Sequence, residues 1–208
     1  MSTTRLVSAL TTVALATAAV VGAAPAQAAP QGSTSLAEVL AADGNSFDRN
    51  WDDFDITEKA VLAVLENNPD SPVGLLADGE TALTAFVPTD RAFRKLVKSV
   101  TGERPATEKA TFATVASLGL DTVEDVLLYH VVPGATIRYG QAKRADGAAL
   151  ESALGTHVTV VVKKGIVRLV DQDGPARNPR IIKAAKNLNK GNKQIAHGID
   201  RVLRPILL

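Results

Sequence analysis

Apolar positions fall at helical spacing early in the chain and at strand spacing late in it. Leu36 to Ala42 predicts a brief helix with Ser35 available as its cap. Thr57 predicts the N-cap of a helix running to Asn67, with Glu58 complementing the positive end of its dipole and Val61, Leu62 and Leu65 lining one face. Asn67-Asn68-Pro69-Asp70-Ser71-Pro72 ends that helix, because Pro lacks an amide hydrogen and restrains the residue before it. Leu83 to Val87 is an extended apolar run stopped by Pro88. Thr89 then caps a helix beginning at Asp90, whose stripe is Ala92, Phe93, Leu96 and Val97. Helical patterns follow from Thr107 to Leu118 and from Val123 to Tyr129.

After Pro133-Gly134 the character changes. Val158 to Val162 and Ile166 to Val170 are β-branched runs separated by Lys163-Lys164-Gly165, a hairpin signal. Asp171 to Pro175 reads as a turn, Ile181-Ile182 as the start of a short strand, and His197 to Leu203 with Ile206 to Leu208 as an apolar close. Helices first and strands later argue for an α+β fold rather than a βαβ repeat. No internal repeat is present, so one domain is expected.

Residues 1–28 read as a secretory signal: Arg5, an uncharged run from Leu6 to Val21, and the small-x-small site Ala26-Gln27-Ala28. Residues 29–35 are short, polar and contain Pro and Gly, as a flexible arm would. Residues 36–208 are then the folded domain. No other apolar stretch approaches ~20 residues, the length that crosses a bilayer, so the cleaved chain is expected to be secreted and not to span a membrane.

Composition narrows the chemistry. The 208 residues carry 23 Lys plus Arg against 22 Asp plus Glu and contain no Cys. There is no basic excess to attract nucleic acid. Thiol nucleophiles, Cys-bound zinc and disulfides are excluded. His130, His157 and His197 lie far apart in sequence, without the tight ligand spacing of a zinc site. Asp48, Asn50 and Asp52 fit the first three ligand positions of an EF-hand loop, but Asp53 replaces its Gly and Lys59 its final Glu. The cluster Asp48, Asp52, Asp53 and Asp55 is therefore read as a solvated acidic loop, and no metal or cofactor is expected. No Gly-x-Ser-x-Gly elbow or P-loop occurs, and no catalytic residue is assigned. Lys183, Lys186, Lys190 and Lys193 form a basic stretch that reads as a solvated loop, with contact to an anionic polysaccharide or lipid headgroup as the alternative.

Three segments together resemble the fasciclin-type (FAS1) domain. Thr84-Ala85-Phe86-Val87-Pro88-Thr89-Asp90-Arg91-Ala92-Phe93 is similar to the family's first motif, a strand, a Pro-Thr turn and a helix. Leu127-Leu128-Tyr129-His130-Val131-Val132-Pro133-Gly134 resembles its Tyr-His segment. Ala196-His197-Gly198-Ile199-Asp200-Arg201-Val202-Leu203-Arg204-Pro205 resembles its closing strand. The resemblance implies a single domain in which a β-wedge of about seven strands packs against several α-helices. It also implies that the first and last motifs are adjacent strands, with Phe86, Pro88, Thr89, Asp90, Phe93, His197, Ile199 and Asp200 as structural residues. Asp200 is expected to brace the Pro88-Thr89 turn.

The same resemblance implies a non-enzymatic adhesion role, with contact to a cell-surface or cell-envelope protein or polysaccharide by a monomer. Tyr129 and His130 are the candidate contact pair; alternatively His130 is a buried hydrogen-bonding residue. Some relatives carry an Asp-Ile dipeptide shortly before the last motif. Here Asn187 and Leu188 stand in its place, so the carboxylate is missing, and these two residues join Tyr129 and His130 as candidate partner contacts. A second reading is an extracellular binder of a small apolar ligand or lipid in a cleft between wedge and helices, which a continuous apolar cavity would support.

Overall fold

A computed structural model of the chain describes residues 32–205 except Asn45 and Pro175; the expected signal, residues 1–28, lies outside the described residues. Helix α1 (Leu36–Leu40) begins at a reciprocal cap: the Ser35 hydroxyl accepts the Glu38 N–H at 3.2 Å, and the Glu38 carboxylate accepts the Ser35 N–H at 2.9 Å. Helix α2 (Asp55–Asn67) starts ahead of the predicted Thr57 cap. The Thr57 hydroxyl instead donates to Pro88 O at 2.9 Å, so it ties α2 to a strand end rather than opening a helix. Helices α3 (Asp90–Thr101), α4 (Glu108–Ala116) and α5 (Leu120–Tyr129) complete the helical layer. Thr89 occupies the cap position of α3 without a side-chain capping bond. A short α6 (Tyr139–Ala142) follows the second motif.

Strands β1 (Leu83–Pro88), β2 (Val131–Pro133), β6 (Ile181–Leu188) and β7 (Gln194–Ile199) form one sheet in the order β2-β1-β7-β6. Strands β3 (Ala149–Glu151), β4 (His157–Lys163) and β5 (Ile166–Val170) form a second. The first and last motifs are neighbours, as expected: β1 and β7 run parallel, with Thr84 opposite Ile195 and Pro88 opposite Ile199. Both strands are buried along their whole length. Alternation explains how they serve two cores. Ala85, Val87 and Ala196 face the helices, while Phe86 and Ile199 face Val158, Val160, Val167 and Leu169 of the second sheet.

The hairpin between β4 and β5 is tighter than the sequence suggests. Lys163 pairs with Ile166, leaving Lys164 and Gly165 as a two-residue turn with φ of 53° and 72°, a left-handed pair that matches strand twist. Strand β6 is longer than the predicted start at Ile181-Ile182. Register shifts around Lys186 break its alternation, which hides it from a pattern search. The expected flexible arm is tied down at its end. Gly32 N–H donates to Gly191 O and Gly32 O accepts Lys193 N–H, both at 2.9 Å. Among the described residues no helix is long and apolar enough to cross a membrane.

Candidate functional site

The Tyr-His segment points inward. Tyr129 is fully buried and its hydroxyl donates to His157 O at 3.0 Å. His130 is 4% exposed and ends α5, where the last helical carbonyls lack partners. Its Nδ1 lies 2.6 Å from Val126 O, and its Nε2 accepts Leu203 N–H at 2.9 Å. These partners fix a neutral ring with the proton on Nδ1. Burial, only partly offset by the Val126 carbonyl, lowers its pKa to about 4. Neither side chain presents an edge to solvent, so the displayed aromatic pair considered from sequence is not at the surface.

His197 is buried in the same manner, and its pKa is lowered chiefly by desolvation. Its ring stacks on Phe86 at a centroid separation of 6.0 Å. Nδ1 accepts Asn187 N–H at 3.2 Å and Nε2 donates to Ile137 O at 2.8 Å. Asn187, held at a left-handed φ of 55°, accepts Tyr139 N–H on its Oδ1 at 2.7 Å. Leu188 is half-buried against the helical core. The Asn187-Leu188 step is thus the joint that fixes the β6 end to α6. Asp200 does not brace the Pro88-Thr89 turn; its carboxylate takes the N–H and Nε of Arg180, both at 2.9 Å. The turn is held instead by Thr89 N–H donating to Ile199 O at 3.2 Å.

Around that joint lies an open cleft of about 640 Å³ lined by Thr136, Arg138, Gly140, Gln141, Arg144, Asn187 and Lys190. It carries three cations and no carboxylate among its lining residues. The four lysines singled out from sequence do not form one patch. Lys190 lines the cleft, Lys186 lies 5.3 Å above the Tyr139 ring, and Lys193 pairs with Glu80. Arg138 and Arg144 went unnoticed in sequence, although the cationic run Arg138 to Arg144 directly follows the second motif. A second basic cleft at Arg91, Arg94, Lys95, Lys98 and Arg104 is less available. Arg91 pairs with Asp52, Arg94 covers the Trp51 ring, and Lys95 donates to Asp200 O.

The acidic segment is a solvated loop only in part, since Asp48 and Asp52 are exposed. Asp55 is buried and Asp53 half-buried, and they meet Asp90 and Glu108 from other elements. Asp52 stays outside, in its exposed pair with Arg91. Burial raises the pKa of Asp53 to about 6 and of Asp90 to about 8, and for both the neighbouring carboxylates add to the rise. Between the helices, the apolar cavity lined by Ala60, Phe93, Leu96, Val115 and Leu127 measures about 20 Å³.

Compared with protein families, residues 62–205 match the Fasciclin domain. Among solved structures the chain is similar to the FAS1 domain pair of the insect cell adhesion molecule fasciclin I, described as a novel fold. The identity is 14% and the TM-score 0.51, over 73% of this chain and 47% of that one. The chain spans about half the length of that domain pair, and at this identity the likeness is one of fold. No curated protein matches the sequence.

Proposed function

This chain belongs to the Fasciclin domain family, and from that footing we propose that it is a secreted, non-catalytic adhesion module that contacts an anionic cell-surface or cell-envelope partner through the basic cleft beside Asn187. The observation that carries this reading is the cleft itself: Arg138, Arg144 and Lys190 converge without a carboxylate among them, on a joint made rigid by Asn187 and His197. Arginine forks pair with carboxylate or phosphate in two parallel hydrogen bonds, so two arginines in an open groove suit a repeating anionic polymer. Export places the cleft where such polymers are found.

The lipid-binding alternative gains no support from the space among the helices. Pockets that enclose a small ligand span roughly 300–1,000 Å³, whereas the apolar space between the helices is about 20 Å³.

Capture of the mature chain on isolated cell envelope, across a salt series, tests the proposal. Arg138→Glu/Arg144→Glu/Lys190→Glu is expected to abolish capture, and wild-type capture to weaken as salt rises. The control Lys163→Glu/Lys164→Glu, at the hairpin turn, is expected to bind as wild type. Equal capture of the triple variant at unchanged stability would remove the cleft from the contact.

A further inference from the structure

Three helices begin with a carboxylate, and the three beginnings meet. Asp55 is the first residue of α2, Asp90 of α3 and Glu108 of α4. The partial positive charge of each helix N-terminus favours an acid there. That accounts for each acid singly, but not for their convergence with Asp53 and Asp48. Ligating oxygens of Asp53, Asp55 and Asp90 lie within 4.8 Å of one another, as do those of Asp48, Asp55 and Glu108. The two triads share Asp55.

Asp90 is 0% exposed and Glu108 2%. One oxygen of each is already used: Asp90 Oδ1 accepts Ile56 N–H and Glu108 Oε2 accepts Arg49 N–H, both at 3.0 Å. Asp90 Oδ2 and Glu108 Oε1, together with Asp53 Oδ1, are buried with no hydrogen-bond partner among the described residues. Buried acceptors nearly always find a donor or an ion.

We propose that this cluster is a binding site for a calcium-class divalent cation, held by Asp53, Asp55 and Asp90, with Asp48 and Glu108 as the adjoining triad joined to it through Asp55. The donor set is all oxygen, without the His or Cys that zinc prefers. Calcium accepts six to eight oxygens at ~2.4 Å, so ligands on one shell lie no more than about 4.8 Å apart. Magnesium keeps most of its waters and takes one or two carboxylates, which suits this crowded cluster less well.

The backbone holds the site in place. Asn50 N–H donates to Asp48 Oδ1 at 2.7 Å, Asp90 N–H to Asp53 O at 3.0 Å and Arg91 N–H to Trp51 O at 2.8 Å. Arg49 turns the loop at a left-handed φ of 78°. A cation here would fasten the 48–54 loop to α2, α3 and α4 together. The inference is independent of the basic cleft.

The test uses the mature chain stripped of metal with a chelator. Calcium is expected to raise the melting midpoint by about 5–10 °C at a hundredfold excess over Kd, magnesium by much less. Terbium provides a direct readout, because Trp51, the single tryptophan of the chain, sits in the loop and can sensitise its luminescence. Calcium is expected to displace that signal. Asp90→Asn should abolish both effects, as should the half-buried Asp53→Asn, which serves if Asp90→Asn fails to fold, while Glu108→Gln and the exposed Asp48→Asn in the adjoining triad should only weaken them. Asp52→Asn, outside the cluster, should leave both intact. A melting midpoint indifferent to both cations, or calcium effects that persist in Asp90→Asn and Asp53→Asn, would overturn the site.

Discussion

His130 Nε2 accepts the backbone N–H of Leu203 at 2.9 Å, across 73 residues of sequence. The other ring nitrogen lies 2.6 Å from Val126 O in the last turn of α5. One imidazole thus completes the end of a helix and anchors the segment that follows β7. It can do so only while neutral, because a proton on Nε2 would oppose Leu203 N–H donor to donor.

Stability should therefore depend on acid through His130. Its folded pKa of about 4 lies below the ordinary value of 6.5, so between those pH values the unfolded chain binds the proton and the folded chain does not. The stabilisation is complete above pH 6.5, falls as pH drops towards 4 and changes no further below that. The window amounts to about 3 kcal/mol. Asp53 and Asp90, with raised values, act in the opposite direction as pH rises. The observable is consequently the difference between wild type and His130→Leu in urea unfolding at fixed calcium. That difference should shrink by about 3 kcal/mol from pH 7 to pH 4; a constant difference would contradict the buried neutral ring.

Tyr129→Phe separates packing from hydrogen bonding in the same segment. The ring stays buried, while the hydroxyl's bond to His157 O, which joins α5 to β4, and its contact with Gln172 are lost. A cost of about 1 kcal/mol in denaturant midpoint is expected, with unchanged binding to cell envelope. Lost binding with full stability would place Tyr129 in the contact after all.

How far the sequence was readable follows from where each signal resides. Phe86, Pro88, Phe93, His197 and Ile199 sit in local patterns, and adjacency of the first and last motifs came through as the parallel β1–β7 pair. Exposure did not, because a Tyr-His pair between apolar residues has the same spelling whether it faces a partner or the core. Asp90 and Glu108 each read as an acid at a helix start, and their meeting with Asp53 and Asp55 depends on how three helices pack. The cleft was hidden for a related reason: Arg138 and Arg144 approach Lys190 only after α6 folds beside the irregular end of β6.

Gln194 shows how a buried amide can act as a clasp. It is fully buried; its Oε1 accepts Leu36 N–H, and its Nε2 donates to Leu75 O and Asp78 O, all at 2.7 Å. Gln194→Leu leaves those three backbone groups without this partner while preserving bulk. Destabilisation of about 2–4 kcal/mol is expected, with faster hydrogen exchange at Leu36 than in β1. Unchanged exchange at Leu36 would show that α1 is held by packing alone.

Gly198 tests the tightness of the central sheet from the opposite direction, by adding an atom. A Cβ at this position in β7 would lie 2.5 Å from Ala185 Cβ in β6 and 3.2 Å from Phe54 Cζ. The first distance is too short for two carbons, and Ala185 has no chain beyond its Cβ that could swing away. Gly198→Ala should therefore push β6 from β7 and cost roughly 1–3 kcal/mol, as overpacked cores do. The double variant Gly198→Ala/Ala185→Gly removes the nearer clash and should recover part of that loss in thermal unfolding. If the single variant melts with wild type, β6 yields at this point, and the joint at Asn187 is looser than the Asn187–His197 bond indicates.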